Sequence, residues 1–179
     1  MKIDEISNQF AVHLGVAAFM LDQLVTDARA HQMIVFELNL EGLPDVTALT
    51  QYLEAEFKYP YKTAGLNAAM DLISDLEWFE NAHGFVVTAH GASEISPVAA
   101  DFVRIFPIVL DRWRAHGIPF IVAIEEDGDH LLAALQEAND FLKGAGQLPQ
   151  ALPGVGPVAI VVHPTEGERE ESKLWAASG

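Results

Sequence analysis

The chain has 179 residues, half of them hydrophobic and 20% charged, which suits one folded domain and excludes a largely disordered chain. Its 26 acidic against 10 basic side chains leave a formal charge of −16, which disfavours direct nucleic-acid binding and attracts basic partners. The sequence contains no cysteine, so disulfides, thiolate metal sites and cysteine nucleophiles are excluded.

The first segment, from Met1 to about Gln32, carries apolar residues at Ile3, Ile6, Phe10, Leu14, Ala17, Leu21, Leu24 and Ala28. Spacings of three and four predict one long helix packed on the core, or a helix offered to a partner. Its most apolar stretch, Ala11–Leu21, is too short to span a bilayer, and Asp4 and Glu5 stand where a signal peptide carries positive charge. A cytoplasmic protein is expected.

Ile34–Leu40 follows as a strand rich in β-branched and aromatic residues, ended by Gly42 and Pro44. Asp45 is placed to cap a helix from Val46 to about Phe57. A second helix is predicted from Gly65 to Phe79, with Leu66, Ala69, Ile73 and Leu76 facing inward. Phe85–Ala89 reads as a strand. Ser96 and Pro97 look like an N-cap and first helical residue, and the helix they open runs to Gly117, divided by Pro107. Ile118–Ile124 is a continuous apolar run, as in a strand covered on both faces. Asp129–Lys143 reads as a helix and Val158–Val162 as a further strand. A charged tail begins at Glu166, with Leu174 and Trp175 as its apolar residues.

Helices between strands predict a parallel sheet with right-handed crossovers. The expected fold is therefore α/β, with a parallel sheet of three or four strands. The division is an N-terminal helical extension over 1–32, a core over 33–126 and a C-terminal helix-and-strand extension over 127–179, together forming one compact domain.

Few motifs point to catalysis. The seven histidines lack metal-ligand spacing, and the acidic loop Glu125–His130 lacks the length and ligand order of a calcium loop, so it reads as a solvated loop at a strand's carboxyl end. There is no GxGxxG, Walker A or GxSxG motif. No cofactor, no metal and no catalytic residue is expected. The distinctive stretch is Tyr61–Trp78, YKTAGLNAAMDLISDLEW. As a helix it presents Asn67, Asp71 and Asp75 on one exposed line, with Trp78 close by and Tyr61 as an aromatic anchor before it. Such a face suits a basic partner, although aspartates four apart repel one another.

This stretch resembles the signature of the barstar family of ribonuclease inhibitors. That signature is a Tyr-rich turn followed by Gly-x-Asn-(Leu/Trp)-Asp-Ala-(Leu)-x-Asp, often with Asp-Leu-x-Trp after it. The matching residues here are TAGLNAAMD and SDLEW. Upstream, FELNLEGLPDVTALTQYLEAEFKYP resembles the family's first strand and helix. Downstream, GFVVTAHGASEI and VLDRWRAHGIPFIVAI resemble its middle strand and its last helix and strand, so the likeness spans about Met33–Glu126.

The resemblance implies an immunity-type inhibitor that plugs the phosphate-binding cleft of a basic ribonuclease or nuclease toxin with carboxylates. Asp71 matches the central aspartate that enters the cleft, and Tyr61 matches an interface tyrosine. Asn67 replaces the first aspartate of the motif, Thr63 and Gly65 replace its glycine and asparagine, and Arg112 and His116 replace two acidic residues of the last helix. Either the partner differs, or the acidic load has moved to Asp75, Glu77, Glu80 and Glu125–Asp129. On this reading Asp71→Ala weakens binding far more than Glu54→Ala. The alternatives are a non-inhibitory interaction module on the same fold, and a small-molecule enzyme with its site near Asn39, His90 and Glu125–Asp129.

Overall fold

A computed structural model describes residues 1–6, 9–146 and 157–164. The tail from Glu166, with Leu174 and Trp175, lies outside the described residues, as does most of the turn-rich stretch between 144 and 157.

Five strands form one parallel sheet: β1 (Ala11–Leu14), β2 (Ile34–Asn39), β3 (Phe85–His90), β4 (Phe120–Ile124) and β5 (Ala159–Val162). Their spatial order is β2-β3-β4-β1-β5. Among the described residues, six helices accompany them: α1 (Ala18–Ala30), α2 (Val46–Glu56), α3 (Leu66–Ile73), α4 (Ala99–Arg104), α5 (Phe106–His116) and α6 (Asp129–Gly146), with a 3-10 turn over Ile3–Glu5.

Strand alternation divides the core in two. Phe85, Val87, Ala89, Phe120, Val122 and Ile124 point to one face, where α2, α3, α4, α5 and α6 bury Leu53, Ile73, Phe102, Val109, Trp113 and Leu135. Val86, Ile121 and Ala123 point to the other, against Leu21, Leu24 and Ala28 of α1. The chain's path explains the division. From β2 through β3 and β4 to β5 it moves one way along the sheet, so right-handed crossovers put α2–α6 on one side. From β1 to β2 it moves back, and α1 falls on the other side.

Two expectations are corrected. The sheet has five strands rather than three or four, and the N-terminal segment is not one helix. Ala11–Leu14 is a fully buried strand between β4 and β5. A run that is apolar at nearly every position, interrupted here only by His13, satisfies a helix face and a doubly covered strand equally well. Gly15 decides the matter, because its φ of +70° turns the chain out of the strand. A Cβ there would stand 2.9 Å from the His163 carbonyl oxygen.

Three other local signals hold. Asp45 caps α2 by accepting from the Ala48 N–H at 2.9 Å, Pro107 opens α5 after the break, and Gly117 closes it in the left-handed conformation. The expected Ser96 cap does not form. Val98 holds that position, and the buried Ser96 hydroxyl has no partner among the described residues.

Among the described residues, no helix is long and apolar enough to cross a membrane, and no three histidine or carboxylate side chains gather closely enough to hold a metal.

Candidate functional site

The four residues singled out by sequence lie on α3 and on the segments that flank it. Tyr61 is 64% exposed in the loop between α2 and α3. Asn67 and Asp71 sit one turn apart on the exposed side of α3. Asp75 is exposed too, but it lies outside the helix. The helix ends at Ile73 rather than at Phe79. Leu72 O accepts from both the Asp75 and Leu76 N–H groups, and Leu76 then adopts a positive φ of 44° with its side chain buried. Burying Leu76 through a turn draws the chain toward β3 and breaks the straight acidic stripe. Trp78 is likewise no part of an exposed line. It is half-buried, and its indole N–H donates to the Phe57 carbonyl at 2.9 Å.

α3 is tied down on both sides. The Tyr59 hydroxyl donates to the Ala69 carbonyl at 2.8 Å. Burial, reinforced by the charge of Glu54, pushes the Tyr59 phenol well above its ordinary pKa, so it stays a donor. The buried Trp113 indole N–H, from α5, donates to the Ile73 carbonyl at 2.9 Å. Glu54 of α2 fastens the preceding loop, its Oε1 accepting from the Thr63 amide at 2.6 Å and the Thr63 hydroxyl at 2.7 Å. Those bonds, the amide first, hold the Glu54 carboxyl below its ordinary pKa. Glu54 is therefore a brace for the loop that carries Tyr61, not the neutral comparison that sequence alone suggested.

Of the two residues that seemed out of place on α5, Arg112 pairs with the acidic segment and His116 shares a groove with it. Arg112 donates from Nη1 to Asp71 Oδ1 at 2.7 Å. Asp75 and His116 line one groove of about 420 Å³, together with Glu77, Glu80, Phe79 and Trp113. Arg112 of α5 thus stands against the Asp71 carboxylate of α3, and His116 shares a groove with Asp75 of its exit turn. A second hollow of about 510 Å³ separates α2 from the Tyr61 loop, lined by Thr50, Glu54, Lys62, Thr63 and Gly65.

The carboxyl ends of β2, β3 and β4 frame a third hollow of about 470 Å³, lined by Leu40, Gly91, Ser96 and Glu126 among others. Two polar groups in and beside it brace the turns around it. Glu126 Oε1 accepts from the Gly91 N–H at 2.7 Å, and Asn39 Oδ1 accepts from the Glu41 N–H at 2.8 Å. Glu126 is accordingly half-buried rather than part of a fully solvated loop.

The family described as "Barstar (barnase inhibitor)" matches residues 33–125, from just before β2 to just after β4, more than half of the chain. The chain belongs to the Barstar family. The match holds β2, β3 and β4 with α2–α5, and so includes α3 and all four candidate residues. Members of this family are inhibitors rather than enzymes, and the family implies a ribonuclease partner. β1, α1, α6 and β5 lie outside the matched region. No curated protein matches the chain. Among solved structures, a Walker-type ATPase of Pyrococcus abyssi (PABY2304) is similar at 13% identity and a TM-score of 0.39, over 96% of this chain and 55% of that one. The chain thus spans about half the length of that ATPase, and a likeness at this level says nothing of function.

Sequence reasoning missed the bracing roles of Glu54, Tyr59, Trp78 and Trp113 around α3. The two tryptophans and Tyr59 carried a signal, since a large aromatic with a polar tip, placed in an apolar stretch, usually finds a hydrogen-bond partner when buried. Glu54 carried none, because its partner Thr63 lies nine residues away across a loop.

Proposed function

We propose that the protein is a cytoplasmic inhibitor that binds a basic ribonuclease or nuclease toxin through α3 and the Tyr61 loop, covering the partner's phosphate-binding cleft. Asp71 enters the cleft as a stand-in for phosphate. Asn67 contributes a neutral hydrogen-bonding contact, Asp75 a second carboxylate at the rim, and Tyr61 an apolar anchor. The observation that carries this reading is the setting of Asp71. Its side chain is 62% exposed, on a helix whose backbone is bonded to Tyr59 on one side and Trp113 on the other. A pre-positioned carboxylate pays little ordering entropy when a cation meets it. The net charge of −16 adds long-range attraction for a basic target and speeds encounter at low salt.

The test is capture from the native cell extract at low salt on immobilised full-length chain. Asp71→Asn serves as the altered bait and Asp22→Asn, on α1 across the sheet, as the charge-matched control. A basic nuclease retained by the wild type and by Asp22→Asn, lost with Asp71→Asn, and inhibited in RNA cleavage by the purified chain is the expected result. Retained proteins indifferent to both salt and Asp71 would overturn the reading.

A further inference from the structure

The exposed carboxylate of α3 is not an open acidic patch. Arg112 holds Asp71 Oδ1 at 2.7 Å, and both partners are well solvated, with side chains 43% and 62% exposed. A pair so exposed contributes little to stability, so the fold gives no strong reason for an arginine there. Its position is nonetheless firm. The next residue, Trp113, is buried and bonded to the Ile73 carbonyl, which sets the register of α5 against α3 and keeps Arg112 at the docking face. A cationic group approaching Asp71 therefore meets a guanidinium beside it. The net local charge of the pair is zero, and Asn67, one turn back on α3, adds none.

Resting on the reading above, we propose that Arg112 is a specificity-determining residue. It discriminates against partners whose cleft is uniformly cationic and selects a nuclease surface on which a basic group for Asp71 stands next to an acidic group for Arg112. The pair opens on binding and each member finds its opposite on the partner. A cleft with no acid leaves Arg112 facing like charge, and a mismatch of that kind separates related targets more sharply than any added contact.

Barnase is the probe, chosen for its basic active-site cleft. Its affinity is measured for wild type, Arg112→Gln and Arg112→Glu, each with and without Asp71→Asn, at low salt and at about 1 M salt. Arg112→Glu is expected to bind at least about tenfold more tightly than wild type at low salt, with Arg112→Gln between them and the gain shrinking at high salt. The unfolding midpoint of Arg112→Gln is expected to match wild type, since the pair is exposed, and that of Arg112→Glu to fall only slightly through repulsion from Asp71. The proposal is overturned if neither substitution tightens binding, including the case in which no variant binds. If Asp71→Asn still weakens binding in that event, only the role of Arg112 is lost. If Asp71→Asn changes nothing either, the interface reading is lost with it.

Discussion

His13 offers a stringent test of the sheet arrangement. It lies in the middle of β1 between Ala123 of β4 and Val161 of β5, and only 5% of it is exposed. Its Nδ1 lies 3.2 Å from His163 Nε2, and its Nε2 is buried with no partner among the described residues. Burial, helped by the nearby His163, lowers its pKa from 6.5 to about 4. The folded chain thus refuses a proton that the unfolded chain accepts below pH 6.5. Stability falls as pH drops through the window from 6.5 to about 4, and this contribution is flat above and below that window. A shift of this size corresponds to a loss of about 3 kcal/mol. Denaturant unfolding of wild type and His13→Val across this range isolates the effect from the carboxylates, which both proteins share. The difference between the two stabilities should move by about 3 kcal/mol in favour of the variant as the solution is acidified. Its value at neutral pH is not diagnostic, because removing an unpartnered nitrogen and losing the contact with His163 oppose each other. Parallel curves for the two proteins would show that His13 is not a buried neutral strand residue, and the placement of β1 would fail with it.

Three further outcomes follow from the same contacts. Gly15→Ala puts a Cβ at 2.9 Å from the His163 carbonyl oxygen at a φ of +70°, and thermal unfolding should show a loss of about 2 kcal/mol or more. Tyr59→Phe removes the donor to the Ala69 carbonyl and should cost about 1 kcal/mol in denaturant unfolding, with nuclease binding weakened less than by Asp71→Asn. Glu54→Gln loosens the Thr63 anchor, and amide exchange should quicken around residues 61–65 while α3 keeps its protection, the opposite of a uniform loss of stability.

The match between sequence and structure depends on the range of the signal. The Asp45 cap, the break at Pro107, the αL close at Gly117 and the strands β2, β3 and β4 all rest on neighbours within a few residues, and all were legible. The exposure of the candidate residues was legible, though not their arrangement. Asn67 and Asp71 do share one exposed side of α3 and Tyr61 is exposed beside them. The site's geometry was not legible, because the helix stops at Ile73 where Leu76 is drawn inward, and Asp75 leaves the line.

By itself the sequence determined the strong net negative charge, the α/β alternation and the family motif, since each is a property of composition or of local order. The tertiary structure alone decided three things. It made the first apolar run a strand, by offering it two strand partners more than a hundred residues away in sequence. It turned Glu54 into a brace for the Tyr61 loop. It also brought Arg112 across 41 residues of chain onto Asp71, converting an acidic face into one of alternating charge. The physical reason is common to all three. Hydrogen-bond and ion-pair partners are chosen by proximity in space, and packing of α5 on α3 and of β1 into the sheet sets that proximity.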